Sequence, residues 1–374
     1  MYFKVLHILD YYLPETMQWI EDLFNLSEES VQHHVASLYY KKEKIKFPIV
    51  SNFGIVTTYP IPIFNKISNI VRFSYYEDRL FEYIKENRID AVHFHFGNMA
   101  IKFDKVLMQL KCLTFISLYG YDYEYLPVNK PETLEFYRKF ASHGTKFVVE
   151  GSYSKKLLVS YGIPLSQICI VQMLYNRSFT LDLKEWKKPI NLLQVASYSE
   201  KKGQLILIEA LAKSSCSKEF KLDFYGEIVN PHYFKELSKC ITRNKLKNIK
   251  LNDKLSFPNY ISKLKNSHMV VNLSNKSSLS DTEGGCPVFL KDALSLGKPL
   301  LTTSHCDIPD IAINNYNAWI VNEKDVKATS NAIQEIERLN ARTYLKYCRN
   351  AFQSAFSKTN SNWTLNCLIN AYKD

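Results

Sequence analysis

The stretch that decides the fold is "SDTEGGCPVFLKDALSLGKPLLTTSHCDIPDI", residues 280–311. Pro287 suits the first turn of a helix, where its missing N–H costs nothing, and Gly297 suits a helix end. These residues delimit a predicted helix over 287–296, and the apolar run "PLLTTS" (299–304) behind it is typical of a buried strand. A loop, a helix and a strand in this order form one step of an α/β domain.

The same alternation extends along the chain in both directions. In the first half, strand candidates are "KVLHIL" (4–9), "HHVASLYY" (33–40), "AVHFHF" (91–96), "LTFISLYG" (113–120), "KFVVEG" (146–151) and "ICIVQM" (168–173). The helix candidates between them span 17–26, 76–87, 99–110, 132–143 and 152–161. The pattern restarts with strands at 190–197 and 220–226 and a helix at 203–214. This order predicts an α/β fold of two Rossmann-like, doubly wound lobes.

The length of 374 residues suits two domains rather than one core. The segment 176–189 has no clear period and ends in a proline, so we interpret it as the linker. We expect an N-terminal lobe over 1–180 and a C-terminal lobe over 189–355. A last helix over 356–374 is expected to return toward the N-terminal lobe.

The composition is that of a globular protein. Hydrophobic residues make up 46% of the chain and charged residues 23%, so each lobe can bury a core. No run approaches the ~18 to 20 consecutive apolar residues of a membrane span. The apolar start of the chain breaks at Asp10, before a signal-peptide pattern develops. We therefore expect a cytoplasmic protein.

The net charge of +11 favours anionic partners. Basic clusters lie at 41–46, 187–189 and 243–250. A phosphorylated small molecule or an acidic membrane face would suit them, and a solvated lysine-rich surface is the alternative. Aromatic residues do not interleave with the clusters, so nucleic acid is not an expected partner.

The eight cysteines lie far apart, with no C-x-x-C pair. This spacing argues against both a zinc site and a disulfide framework, so free thiols are expected. The sequence shows no metal-ligand cluster, and we expect neither a metal nor a cofactor.

The loop before the predicted helix has the composition of an anion site. A helix N-terminus leaves backbone N–H groups free and carries a positive dipole end, and Gly284 and Gly285 let an anion approach the backbone. Glu283 beside the loop and Asp292 on the helix supply carboxylates at two depths, which suit the hydroxyls of a nucleotide sugar. The alternative is a surface turn whose acid merely complements the helix dipole.

Several segments in the right order carry a family resemblance along nearly the whole chain. The segments are "VASYSEKKGQLILIEAL" (195–211), residues 280–311, "HFHFGNMA" (93–100), "SLYGYDYEYL" (117–126) and residues 146–173. They resemble the retaining family-4 glycosyltransferases of the GT-B fold, in the branch that builds bacterial polysaccharides. The resemblance implies two Rossmann-like lobes that face a cleft.

Carried over residue by residue, the resemblance implies roles on the donor side. Glu283 would contact the hydroxyls of the transferred sugar and Lys202 would neutralise the diphosphate leaving group, which makes these two the implied catalytic residues. Asp292 would bind the ribose. The other implied donor-binding residues are Gly284, Gly285, Cys286, Ser197, Gly226 and His305.

The resemblance also implies an acceptor side at the strand ends of the first lobe. Its residues are His95, Gly97, Asn98, Tyr119, Gly120 and Asp122. The alternating pair His93 and His95 leaves two interpretations, a side chain that points to the cleft or a satisfied strand-end histidine. For Asp122 we favour loop capping over an acid pair with Glu124.

The chain departs from the family pattern at three places. Eight residues instead of the usual seven separate Glu283 from Asp292. Ser197 stands where many members carry an arginine for the diphosphate, and Tyr119 stands where a histidine is usual. The residues available to replace the missing charge are Lys201, Lys202 and His305.

The function that the resemblance implies is the retaining transfer of a hexose from a nucleoside diphosphate sugar. The acceptor would be a hydroxyl of a glycan or of a lipid-linked molecule at the inner membrane face, in surface polysaccharide synthesis. Ser197 and Tyr119 motivate an alternative, a non-catalytic GT-B-like subunit that binds glycan or a partner enzyme. A nucleotide-sugar epimerase or a glycan phosphorylase on the same fold is a third hypothesis.

Overall fold

A computed structural model of the chain describes residues 2–11, 20, 24–25, 27, 29–39, 66–172, 179–358, 366 and 368–372. The chain forms two compact units, Met1–Asn176 together with Ser361–Asp374, and Arg177–Asn360. The basic cluster at 41–46 and most of the predicted helix at 17–26 lie outside the described residues.

The first unit contains a parallel sheet with the strand order β2-β1-β3-β4-β5-β6. Its strands are β1 (Phe3–Tyr11), β2 (Val31–Tyr39), β3 (Ala91–His95), β4 (Leu113–Ser117), β5 (Lys146–Val149) and β6 (Ile168–Ile170). Its helices include α1 (Lys66–Asn87), α2 (Gly97–Lys102), α3 (Asp104–Leu107), α4 (Leu126–Asn129), α5 (Glu132–Ser142) and α6 (Ser152–Ser160). The strand order reverses between β1 and β3, which makes the carboxyl ends of these strands a topological switch point.

The second unit contains a parallel sheet with the strand order β12-β11-β10-β7-β8-β9. Its strands are β7 (Ile190–Val195), β8 (Phe220–Tyr225), β9 (Ile249–Asn252), β10 (Met269–Asn272), β11 (Leu300–Thr303) and β12 (Ala318–Val321). Its helices include α7 (Gln204–Lys213), α8 (Pro231–Arg243), α9 (Phe257–Asn266), α10 (Val288–Ser295), α11 (Val326–Glu337) and α12 (Ala341–Lys358). The switch point of this sheet lies between β7 and β10.

Both faces of each sheet are covered, as the apolar strands require. In β1, Leu6 and Ile8 pack into one hydrophobic cluster, whereas Val5 and Leu9 pack into another. The four residues of β10 and the four of β11 are all buried. The prediction of two doubly wound parallel sheets is therefore confirmed.

The C-terminal residues pack on the sheet of the first unit. Leu368, Ile369 and Tyr372 share a hydrophobic cluster with Val5, and the Tyr372 ring lies edge-on to Phe115 with the centroids 4.9 Å apart. Among the described residues, no helix has the length and apolar character to cross a membrane.

One predicted helix is divided in the structure, and one segment outside the predicted helices and strands is helical. The helix predicted over 99–110 is divided at Phe103, whose backbone (φ −108°, ψ 32°) separates α2 from α3. The segment that carries Asp122 and Glu124 is a π-helical turn over Tyr121–Tyr125. The spacing of apolar residues predicted neither feature.

Candidate functional site

The candidate site lies in the second unit, where the chain leaves β7 and β10 at the switch point of the sheet. The segment after β7 forms a 3₁₀ turn over Glu200–Lys202 that leads into α7. The segment after β10 is the loop that carries Glu283 and enters α10. In open α/β sheets this edge is where ligands bind.

Gly203 places the turn directly against the end of β10. Its backbone is left-handed (φ +69°), and a Cβ at this position would lie 2.1 Å from the Leu273 carbonyl oxygen. A side chain is thus excluded by both conformation and contact. The close approach brings the lysine just before Gly203 within reach of the loop.

Each of the three turn residues binds the loop after β10. The contacts are Ser278 N–H to Glu200 Oε1 at 2.8 Å, Lys201 Nζ to Asp281 Oδ1 at 3.1 Å, and Lys202 Nζ to Glu283 Oε2 at 2.6 Å. Lys201 also donates to the Thr282 carbonyl oxygen at 3.1 Å. The structure therefore brings together Glu283 and Lys202, the two residues for which the family resemblance implies catalysis.

Glu283 is an almost buried carboxylate whose two oxygens have different partners. Its side chain is 9% exposed, and Oε1 accepts a hydrogen bond from Ser274 Oγ at 2.8 Å while Oε2 accepts from Lys202. Burial acts to raise the pKa of Glu283, but the Lys202 ammonium and the Ser274 hydroxyl outweigh it and hold the pKa below its ordinary value. The carboxylate is therefore ionised and fixed in position.

His305 orients the backbone of Glu283. Its Nε2 accepts a hydrogen bond from the Glu283 N–H at 3.2 Å, and its Nδ1 lies 2.7 Å from Glu323 Oε1. An accepting Nε2 places the ring proton on Nδ1, which donates to Glu323. Glu323 in turn accepts from the Lys276 N–H at 3.0 Å. The implied role of His305 in donor binding stays a prediction, and the contacts that it makes here are to the protein.

The loop between Glu283 and α10 is buried. Gly284 has a left-handed backbone (φ +74°) and donates its N–H to Thr282 Oγ1 at 3.1 Å. Gly285 and Cys286 are buried as well, and Pro287 occupies the cap position just before α10. The helix thus begins one residue later than predicted, and its N-terminus follows directly on the glycine-rich loop.

Asp292 lies in the second turn of α10 and is 1% exposed. Burial raises the pKa of this carboxyl well above its ordinary value, and Tyr260 Oη donates a hydrogen bond to Oδ2. The surroundings therefore shift the pKa values of the two acids in opposite directions. Glu283 is an ionised acceptor, whereas the surroundings of Asp292 favour the protonated form.

Two further donor-side residues lie at the ends of strands. The Ser197 carbonyl oxygen accepts from Gln204 Nε2 at 2.9 Å, which ties the end of β7 to the start of α7. A Cβ at Gly226 would lie 1.9 Å from the Ala196 carbonyl oxygen, so the end of β8 requires a glycine for packing alone. Their contact with a donor remains a prediction.

Asp122 organises the strand ends of the first unit. Its Oδ2 accepts from the Tyr119 N–H at 3.0 Å, and the backbone N–H groups of Gly97 and Asn98 at the start of α2 also favour its charged form. Burial dominates and raises the pKa of Asp122 to about 7. The geometry is that of a cap, since Glu124 bonds instead to the Tyr153 hydroxyl.

His95 is fully buried at the end of β3. Its Nδ1 lies 3.4 Å from Tyr119 Oη, and its Nε2 lies 2.9 Å from His7 Nδ1. Gly97 follows, and a Cβ there would lie 2.1 Å from the Tyr137 hydroxyl. These residues form a tightly packed strand end, and their role toward an acceptor stays a prediction.

Sequence reasoning missed three side chains that support the site, Ser274, Tyr260 and Glu323. Each is a common residue type far from its partner in sequence, as with Tyr260 and Asp292, which are 32 residues apart. Only Ser274 gave a usable signal, because it lies two residues after a buried strand, at the edge where ligands bind.

The two doubly wound sheets and the charged pair at a switch point define an α/β protein of the GT-B fold. Residues 181–354 match the family described as "Glycosyl transferases group 1". These residues lie within the second unit and make up less than half of the chain.

Curated relatives are similar over part of their length. The amylovoran biosynthesis glycosyltransferase AmsK of Erwinia amylovora is 24% identical over 247 residues, which are 64% of this chain and 59% of the relative. The putative colanic acid biosynthesis glycosyltransferase WcaL of Salmonella typhimurium is 27% identical over 194 residues, which are 49% of this chain and 45% of the relative. The chain thus spans about half the length of the curated relatives that it matches.

Solved structures share the fold across the whole chain. A glycosyltransferase from Rickettsia africae has a TM-score of 0.76 at 16% identity and covers 100% of this chain and 98% of its own. Anabaena Alr3699/HepE, solved in complex with UDP, has a TM-score of 0.75 at 12% identity and covers 99% of each chain. At these identities the likeness shows the fold alone.

Proposed function

We propose that this chain is a retaining glycosyltransferase that moves a hexose from a nucleoside diphosphate sugar to a hydroxyl of a glycan or lipid-linked acceptor. The observation that carries the proposal is the ionised Glu283 held by Lys202 at the switch point of a glycosyl transferases group 1 domain. The names of AmsK and WcaL support a place in bacterial polysaccharide synthesis. The proposal includes an acceptor at the inner face of the membrane, which suits the basic net charge of +11.

The donor class follows from the chemistry of the loop. The buried glycine-rich segment before α10 places backbone N–H groups at a helix N-terminus, which suits a diphosphate. Solved structures of HepE contain UDP and UDP-glucose, which supports a nucleoside diphosphate sugar as the co-substrate here. No metal or cofactor enters this proposal.

In the proposed transfer, Lys202 contacts the diphosphate and Glu283 contacts the sugar. The Lys202 ammonium, 17% exposed, reaches the departing diphosphate as negative charge develops on it, and a fixed cation stabilises that charge in a water-poor site. Glu283 accepts hydrogen bonds from the sugar hydroxyls with the lone pairs that Ser274 and Lys202 leave open. In the proposed retaining route, the leaving phosphate accepts the proton of the attacking hydroxyl.

The test is nucleoside diphosphate release from a panel of nucleotide sugars, with Glu283→Gln and Lys202→Met as variants. Each change removes a charged hydrogen-bond partner worth about 1.5 to 3 kcal/mol, so we expect release to fall about tenfold to a hundredfold. Matched controls are Glu236→Gln and Lys239→Met on the exposed face of α8, which should retain the wild-type rate.

Two outcomes would contradict the proposal. Folded variants with the wild-type release rate would remove Glu283 and Lys202 from the site. A wild-type chain that binds nucleotide sugars but releases no nucleoside diphosphate with any acceptor would instead be a non-catalytic binding subunit, the reading that Ser197 and Tyr119 motivate.

A further inference from the structure

Four buried histidines lie together in the first unit, outside the residues that match the glycosyl transferases group 1 family. They are His7 on β1, His33 on β2, and His93 and His95 on β3, and none is more than 3% exposed. His7 is paired with His93 across β1 and β3, so the two side chains point to the same face of the sheet. His95, two residues further along, shares that face.

The rings form a hydrogen-bonded group. The spacing is 2.9 Å between His7 Nδ1 and His95 Nε2, and 2.9 Å between His7 Nε2 and His33 Nδ1. His93 Nδ1 lies 2.6 Å from the Tyr372 hydroxyl, and His93 Nε2 lies 2.8 Å from Ser117 Oγ. Burial lowers the pKa of all four rings, and neutral imidazole is the form that binds metal ions.

We propose that His7, His93 and His95 form a binding site for a transition metal ion of the Zn²⁺ type. One ring nitrogen from each residue can be chosen so that the three nitrogens lie within 4.8 Å of one another. Imidazole is a preferred ligand of zinc, copper, nickel and iron. Three histidines with a fourth open position form a recognised zinc ligand set.

The outer partners of the rings match what a metal site requires. Metal-bound histidines usually donate their second ring N–H to a neighbouring acceptor, which fixes the tautomer and the ring orientation. His33 Nδ1 is placed to accept from His7 Nε2, Tyr119 Oη to accept from His95 Nδ1, and Tyr372 Oη to accept from His93 Nδ1. The nitrogens left for the ion are then His7 Nδ1, His95 Nε2 and His93 Nε2.

The His7–His95 pair would move little to admit an ion. Zn–N bonds of about 2.0–2.1 Å in a tetrahedral site place ligand nitrogens about 3.4 Å apart. His7 Nδ1 and His95 Nε2, now 2.9 Å apart, would separate by about 0.5 Å, and His93 Nε2 would exchange Ser117 for the ion. The proton shared by His7 and His95 moves to His95 Nδ1, so none of the three rings has to lose a proton; a hydroxide in the fourth position would release one proton from water to the solvent.

Three neutral ligands leave the positive charge of the ion uncompensated in a buried place. An isolated charge is costly there, so the proposal includes an anion, hydroxide or chloride, in the fourth position. The bound ion would cross-link β1 to β3 and, through Tyr372, hold the C-terminal residues on the sheet.

The test uses the full chain, freed of metal with a chelator and then titrated with Zn²⁺ or Co²⁺. We expect one ion per chain by elemental analysis, a rise in melting temperature, and the visible absorption of four-coordinate Co²⁺. His7→Phe and His93→Phe should abolish binding, and His33→Phe should weaken it about tenfold to a hundredfold through the lost outer bond. His232→Phe, which changes an 83% exposed histidine in the second unit, is the matched control.

Because the buried variants could fail to fold, X-ray absorption of the zinc-loaded wild type provides a second measurement. A shell with three imidazole nitrogens supports the proposal. A shell with fewer imidazoles, no bound ion after dialysis, or unchanged binding in folded His7→Phe and His93→Phe would overturn it. In those cases the four histidines are a self-contained hydrogen-bonded group.

Discussion

At the residue scale, the surroundings of an acid decide its charge. Glu283 and Asp292 belong to one loop and helix, yet Lys202 and Ser274 hold the first ionised while burial raises the pKa of the second. A sequence shows that two acids are present but not the charge that each carries. The surroundings thus shift the pKa values of the two acids in opposite directions, and the ribose contact implied for Asp292 stays a prediction.

His305 permits a test of how the Glu283 backbone is held. In His305→Ala, the Glu283 N–H loses its acceptor and Glu323 loses a donor, in a place where the His305 side chain is 4% exposed. We expect the free energy of unfolding to fall by about 1 to 3 kcal/mol, the cost of leaving buried polar groups unsatisfied. Urea denaturation followed by circular dichroism measures the change.

The comparison for this variant is His232→Ala, since His232 is 83% exposed. Exposed substitutions usually stay within about 0.5 kcal/mol of the wild type. Equal stability changes in the two variants would show that the His305 contacts do not hold the loop. A weaker affinity for UDP in His305→Ala alone would extend the effect from the loop to the donor.

At the element scale, the turn after β7 depends on one glycine. Gly203 has a left-handed backbone, and a methyl group there would lie 2.1 Å from the carbonyl oxygen of Leu273, the residue just after β10. Neither feature can be read from the sequence "KKGQ". Lys-Gly before a helix could equally mark a loop without a partner, and only the pairing of β7 with β10 shows what the glycine touches.

Gly203→Ala should therefore destabilise the second unit more than its backbone angle alone predicts. The matched control is Gly144→Ala, because Gly144 is also left-handed (φ +89°) but a Cβ there would meet nothing within 4 Å. In Gly144→Ala, the free energy of unfolding should fall only by the cost of a left-handed alanine, about 1 to 2 kcal/mol. We expect a clearly larger loss for Gly203→Ala in chemical denaturation, together with weaker UDP binding. Equal losses would mean that the turn can move away from β10 without consequence.

The periodicity of the chain predicted most of the elements and the parallel sheets. Alternation of apolar runs with helical patterns is a local property, and strands such as β3 and β10 are short, wholly buried runs. The site was only partly predictable. Glu283 and Lys202, 81 residues apart, were linked by family resemblance rather than by any pattern of spacing. The group of His7, His93 and His95 was missed, because strand register across β1 and β3 cannot be read from one sequence.

At the scale of the whole molecule, both units contain a doubly wound parallel sheet of six strands, but the strand orders differ. The first sheet reverses between β1 and β3, and the second between β7 and β10. The buried histidines lie next to the first reversal, whereas the Lys202–Glu283 pair lies at the second. Residues 181–354, which match the glycosyl transferases group 1 family, contain only the second reversal. The first reversal lies outside the family match.

Hydrogen exchange measured across the whole chain tests whether a nucleotide binds at the second reversal, between β7 and β10. We expect saturating UDP to slow exchange in the segments that follow β7 and β10, 196–203 and 274–287, because a ligand that binds only the folded state suppresses local opening. Uridine, which lacks the diphosphate, should protect these segments much less if the loop before α10 is the anion site. If UDP leaves exchange in both segments unchanged, the nucleotide binds elsewhere. If uridine protects the segments as well as UDP does, the loop before α10 is not the anion site, and the assignment of Lys202 to the diphosphate loses its basis.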